Sequence, residues 1–156
     1  MTNCVFCAIA SDDRHAPIVF ADEYTLAFLD ARPVFKGHVL VIPRSHYETL
    51  AEMPSALVMP LFSLVQRISA AMPTAFGVQG SFVGINNTVG QSVPHLHIHV
   101  VPRSRADGEL HWTASLLGLV FGRLLWPRSR YSSAADEAGY ARRLTRELGN
   151  DHHGRE

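Results

Sequence analysis

The chain has 156 residues, 47% of them hydrophobic and 18% charged, with 14 Lys and Arg balancing 14 Asp and Glu. Such a composition folds as one globular domain rather than staying disordered. Zero formal charge argues against a broad basic surface for nucleic acid or anionic membrane and leaves room only for a local positive pocket.

In chain order, the first feature is "MTNCVFCAIA", where Cys4 and Cys7 sit three apart, a ligand or redox spacing more than a disulfide framework. The stretch lacks the cationic start and longer apolar run of a secretion signal. "SLLGLVFGRLLW" is broken by Arg123 and too short to span a bilayer. The expectation is a cytoplasmic protein with no membrane segment. "TLAFLDARPVFKGHVLVIP" reads as two strands, Thr25–Asp30 and His38–Ile42, joined by a turn through Arg32-Pro33 and Lys36-Gly37. Val39 to Ile42 shows no polar alternation, so the second strand is expected to be covered on both faces.

From Pro54 to Met72 apolar residues recur with helical periodicity, Pro54 suits a first turn, and Pro60 is expected to kink or restart the helix. Residues 80–86 and 95–101 read as another strand pair bridged by the polar loop "NTVGQSVP". Residues 112–126 are apolar and fit no element. Residues 133–148 read as a terminal helix capped by Ser133, with Asp136 and Glu137 in its first turn. Strands that hairpin with helices set apart give an α+β class with an antiparallel sheet. The domain covers residues 1–150, less defined from about 104, and residues 151–156 form a flexible tail.

"SVPHLHIHV" puts His95, His97 and His99 at alternate positions. On an extended backbone they share one face, while Leu96, Ile98 and Val100 point to the core. The outer two are then separated by roughly 13 Å of backbone, too far for all three to converge on one ion with zinc–nitrogen bonds of about 2.0–2.1 Å. At least one imidazole stays free, largely uncharged at neutral pH, with a basic nitrogen that can take a proton or attack an electrophile. Phosphoryl transfer suits it, because donors need only hold the oxygens while charge moves. Asn86, Asn87, Gln91, Ser92 and the amides near Gly90 offer such donors. His38 reads as a hydrogen-bonded structural residue; His15, His111, His152 and His153 have no visible partners.

Taken together, "CVFCAIA", "LAFLDARPVFKGHVLVIPRSHYETL" and "NNTVGQSVPHLHIHVVPR" resemble the histidine-triad (HIT) family of nucleotide hydrolases and transferases, over residues 4 to about 103. The resemblance implies an antiparallel sheet of about five strands with flanking helices, paired into a homodimer. It implies cleavage at the α-phosphate of a purine nucleotide-type substrate, a phosphoramidate or dinucleoside polyphosphate for example, through a nucleotidyl-histidine. By position, His97 is then the nucleophile, His99 a partner of the phosphate or leaving group, and Ser92 a hydroxyl beside the leaving atom. Asn86 and Gln91 fall at phosphate-loop positions, and Asp30 where ribose hydroxyls are accepted. The zinc-containing bacterial-type branch adds a metal on Cys4, Cys7, His46 and His95. Such a Cys₂His₂ set is closed, so the zinc is structural and the reaction needs no catalytic cofactor. A nucleotide-binding scaffold with negligible turnover, and a hydrolase with a catalytic metal on His95 and His97, are the competing readings.

Overall fold

The computed structural model describes residues 4–12, 14–105 and 129–150. A short helix α1 (Val5–Ala10) is followed by strands β1 (Ile18–Ala21), β2 (Thr25–Leu29) and β3 (Val39–Pro43), helix α2 (Ser55–Phe76), strands β4 (Gly80–Ile85) and β5 (Ile98–Arg103), and helix α3 (Ala134–Asn150). The five strands form one sheet in the order β1-β2-β3-β5-β4, antiparallel at every pairing. The α+β class and the antiparallel sheet agree with the sequence; α1 and β1 were not anticipated, and residues 112–126 lie outside the described residues.

Alternation along β2 and β3 divides the apolar residues between two layers. Ala27, Leu29, Val39 and Val41 face the large core, where they meet Leu61, Leu64, Ile68 and Met72 of α2 and Leu144 and Leu148 of α3. Leu26, Phe28, Leu40 and Ile42 face the other way and pack on Phe6 and Ile9 of α1. All five residues of β3 are buried, as expected for a strand covered on both faces, and each fully buried aliphatic side chain contributes roughly 1.5–3 kcal/mol.

Helix α2 runs unbroken through Pro60 and Pro73 to Phe76, beyond the expected end at Met72. The carbonyl that Pro60 leaves without a helical donor belongs to Ala56, an exposed first-turn residue, where water can serve it. Gly77 ends the helix in the left-handed conformation at φ 70°, its N–H donating to Pro73 O at 2.9 Å. Among the described helices, α2 is the one long and apolar enough to cross a bilayer; its Leu61, Leu64 and Ile68 lie in the core. In α3, Asp136 N–H donates to Ser133 Oγ at 3.1 Å, the expected cap.

The histidine segment departs from expectation. β5 begins at Ile98, so His95 and His97 precede the strand. Their stretch pairs off the sheet: Leu96 N–H donates to Tyr47 O at 2.6 Å and His95 N–H to Val93 O at 2.8 Å. The alternation survives without the ladder. Leu96, Ile98 and Val100 lie in the large core, while the Phe6 ring stands 5.9 Å from His95 and 5.2 Å from His97 between centroids, on the α1 side of the sheet.

Candidate active site and metal centre

Two clusters of side chains meet at the start of β5. In the first, the donor atoms of Cys4, Cys7, His46 and His95 all lie within 4.8 Å of one another. Cys4 Sγ is 3.5 Å and Cys7 Sγ 3.6 Å from His95 Nδ1, and Cys7 Sγ is 3.3 Å from His46 Nδ1. Zinc bonds of about 2.3 Å to sulfur and 2.0–2.1 Å to nitrogen set a tetrahedral sulfur–nitrogen edge of about 3.6 Å. The four residues therefore fit the metal. His95 Nε2–H donates to Pro43 O at 2.9 Å, which turns Nδ1 toward the sulfurs. Burial first, with the nearby His46 and His97, pulls the His95 pKa down to about 4, so the ring is the neutral, ligating form. Arg44 fixes the helix carrying the cysteines: its guanidinium donates to Ala10 O at 2.8 Å and Asp22 O at 2.6 Å.

The backbone carbonyl of His95 links this cluster to the next. It accepts from His97 Nδ1 at 2.7 Å and from Gln91 Nε2 at 3.2 Å. Nδ1 of His97 therefore carries the proton and Nε2 the lone pair, an assignment that follows from the partner. His97 is 2% exposed, and its Nε2 has no hydrogen-bond partner among the described residues.

His99 stands beside His97, ring centroids 4.9 Å apart, and its Nδ1 lies 3.0 Å from His38 Nε2. Val34 N–H approaches His38 Nδ1 at 3.4 Å, and one proton lies between His38 Nε2 and His99 Nδ1. Asp30 Oδ2 is 3.3 Å from His38 Nδ1. This is a polar contact rather than an ion pair, because burial outweighs the Asp30 charge and holds the His38 pKa well below its usual value. His38 is buried and hydrogen-bonded, as a structural residue is expected to be, and the fold also makes it the neighbour of His99. Alternation within one strand gave no hint of it, since the contact crosses from β3 to β5, where Leu40 pairs with His99.

The donor loop sorts its residues. Asn87 is tied down, its Oδ1 accepting Leu50 N–H at 2.9 Å, whereas the Asn86 amide has no such partner among the described residues. Gly90, at φ 78°, turns the loop beside Asn86. Ser92 is exposed. Gln91 is occupied: its Nε2 donates to Glu48 O at 2.8 Å as well as to His95 O, and its Oε1 accepts Thr88 N–H at 3.1 Å. It braces the loop in this state, and a phosphate contact requires it to release one of these bonds.

The histidines predict acid lability. Burial chiefly, with His38 and His97 adding to it, lowers the His99 pKa to about 4. Between about pH 4 and the ordinary value near 6.5 the unfolded chain binds the proton and the folded chain does not. Stability conferred at neutral pH is therefore lost as pH falls through that window, by up to about 1.4 kcal/mol per pH unit for such a histidine. Thermal denaturation between pH 7 and 4.5 tests this: Tm falls with pH, and His99→Asn flattens the slope. Equal slopes in the two proteins would remove His99 as the cause.

The chain is 41% identical over 109 residues to the protein hit of Bacillus subtilis, which covers 68% of this chain and 75% of that one. It is 37% identical over 107 residues to the adenylylsulfatase HINT3 of Arabidopsis thaliana, covering 67% of this chain and 54% of that one. Among solved structures, a zinc-bound histidine triad family protein from Mycobacterium smegmatis superposes with a TM-score of 0.79 at 30% identity, covering 98% of both chains. The family model described as HIT domain matches residues 12–106, a span holding the sheet, both loops and all three triad histidines, and the chain belongs to that family.

Proposed function

We propose that this protein is a nucleotide hydrolase or transferase that breaks a bond at the α-phosphate of a purine nucleotide-type substrate, through a nucleotidyl intermediate on His97. The observation that carries the reading is the hydrogen bond from His97 Nδ1 to the His95 carbonyl, which leaves the lone pair on Nε2. The Nε2 lone pair forms a bond to the α-phosphorus, and the bond to the leaving group breaks with its electron pair on that group. His99 hydrogen-bonds the departing atom and passes it a proton, with the Ser92 hydroxyl beside that atom. Asn86 holds the non-bridging oxygens, and Asp30 accepts the ribose hydroxyls. Water then attacks the phosphorus and gives a proton back to His99, the phosphorus–nitrogen bond breaks with its electron pair on Nε2, and His97 regains its lone pair. The adenylylsulfatase of Arabidopsis thaliana that this chain resembles fits this class of reaction.

Cys4, Cys7, His46 and His95 would hold a structural zinc, which supplies a closed clamp and leaves the reaction to the imidazoles. The chain acts in the cytoplasm, where thiols such as those of Cys4 and Cys7, which form no disulfide with each other, stay reduced. Brief mixing with an adenosine phosphoramidate, followed by intact-protein mass measurement, tests the reaction. A transient nucleotidyl adduct is expected. No adduct and no turnover with phosphoramidates, dinucleoside polyphosphates or adenylyl sulfate overturns the reading.

A homodimer belongs to the same proposal. β4 is an edge strand with one side of its backbone unpaired, and Phe82 and Val83 on its two faces are 43% and 41% exposed. An apolar edge of this kind recruits a second strand unless blocked, and a second copy of β4 is the occupant. Sedimentation is expected to give a dimer for the wild type and a monomer for Val83→Lys. A monomeric wild type, or a dimer indifferent to the lysine, rules it out.

A further inference from the structure

Asp30 and His38 stand at the two ends of one turn, residues 31–37, between β2 and β3. Within it, His38 N–H donates to Phe35 O at 3.0 Å and Asp30 N–H to His38 O at 2.9 Å. Arg32 N–H also donates to Asp30 Oδ1 at 2.8 Å inside the turn, and the turn is held from outside as well, by a segment that carries none of the family's motifs. Ser129 N–H donates to Val34 O at 3.3 Å. Gly37 N–H donates to Tyr131 Oη at 3.0 Å. Lys36 Nζ pairs with Asp136 Oδ2 at 2.8 Å, and the same carboxylate oxygen is fixed by Ser132 N–H at 2.9 Å and Ser132 Oγ at 3.0 Å.

The remaining side of the turn is shut by aromatic rings. Gly37 sits at φ 90°, and a Cβ there would lie 2.7 Å from Phe76 Cε2 of α2. Tyr140 packs 5.3 Å from Phe76 and 5.6 Å from Tyr131 between centroids. The turn is thus clamped between α2 and the start of α3. Burial lifts the Tyr131 pKa to about 12, so its hydroxyl stays neutral, and the Asp30 carboxylate is among the charges it feels.

We propose that residues 129–136 form a positioning strap for the nucleoside-binding turn, with Tyr131 and Asp136 as positioning residues that set where Asp30 and His38 stand. The proposal rests on the reading that Asp30 takes the ribose hydroxyls. A ribose contact is made in the ground state and the transition state alike, so loosening the strap weakens binding more than it slows the chemical step.

Tyr131→Phe tests this, because it keeps the ring and leaves the Gly37 N–H without its partner. Loss of one buried hydrogen bond corresponds to roughly a tenfold change in an equilibrium. The expected result is a rise of about tenfold in KM and in the Kd of adenosine monophosphate, with kcat unchanged within about twofold. Asp136→Asn moves both the same way by less, its pair being partly exposed. Thr145→Val is the control at the far end of α3, where Thr145 Oγ1 donates to Val19 O at 3.1 Å; it lowers Tm and leaves KM alone. A Tyr131→Phe protein with lowered Tm and wild-type KM and Kd, or one that loses kcat alone, overturns the strap. Amide exchange at residues 34–38 reads the strap without nucleotide. Tyr131→Phe accelerates it by about tenfold while Ala27 in β2 keeps its protection. Unchanged exchange overturns the strap even where nucleotide turns over, whereas a wild type that neither binds nor cleaves nucleotide sinks the Asp30 reading and leaves exchange to decide the strap.

Discussion

Replacing His97 by Ala is expected to lower kcat by about four to six orders of magnitude and to abolish the nucleotidyl adduct. Knocking out a covalent nucleophile removes the whole two-step route, and what remains is the catalysis supplied by positioning and hydrogen-bond donors, on the order of 10³–10⁴ over water in well-studied systems. His97 is nearly buried, between Phe6 and His99, so the alanine leaves a gap of several atoms. His97→Asn therefore belongs beside it, filling more of the space and keeping an N–H within reach of the His95 carbonyl. Both should retain zinc at the wild-type ratio, because no His97 atom belongs to the Cys₂His₂ donor set. A fall in bound metal with His97→Asn would place the ring on the ion and end its candidacy as nucleophile. Adduct formation that survives in both variants would move the nucleophile elsewhere.

Much of this was legible in the residues. The unbroken apolar run of Val39 to Ile42 announces a strand covered on both faces, and β3 is one. The i, i+3, i+4 rhythm from Leu57 to Met72 finds α2, because one helix face has to meet the sheet. Alternation also assigned Leu96, Ile98 and Val100 to the core. It misplaced the start of β5, since side-chain alternation requires only extended backbone, while a ladder requires partners, and Leu96 takes its partner from Tyr47 instead.

The metal cluster joins residues 91 positions apart, which spacing alone could not pair; the resemblance to a family supplied that set. The contacts from His38 to His99 and from Tyr131 to Gly37 lay beyond both routes. Each depends on two chain segments meeting after the sheet has formed, and neither segment carries a pattern of its own. Gln91 also makes three hydrogen bonds within the loop that its position in the motif does not reveal.

Removing the zinc clamp should have the largest effect on stability. A metal held at about a thousand times its Kd stabilises the folded state by about 4.1 kcal/mol, and in a chain of this size each kcal/mol moves Tm by about 2–4 °C. Cys7→Ser, or an excess of chelator, is thus expected to lower Tm by about 8–16 °C. The damage has a direction. Without the clamp α1 loses its tie to His46 and His95, and the small core formed by Phe6 and Ile9 against Leu26, Phe28, Leu40 and Ile42 is opened to water. The His95 ring then keeps only its hydrogen bond to Pro43, its carbonyl shifts, and the bond that fixes the His97 proton on Nδ1 weakens. A drop of about ten- to a hundredfold in kcat accompanies the lowered Tm, the scale seen when the support of a metal ligand or an active-site group is removed. Metal analysis with denaturation curves checks each step. Wild type treated with chelator should melt where Cys7→Ser melts, and chelator should leave the Cys7→Ser curve in place. A wild type that carries one zinc per chain and keeps its Tm after the metal is stripped would show that α1 is held by the packing of Phe6 and Ile9 and by Arg44, and that the metal does not set the height of His97.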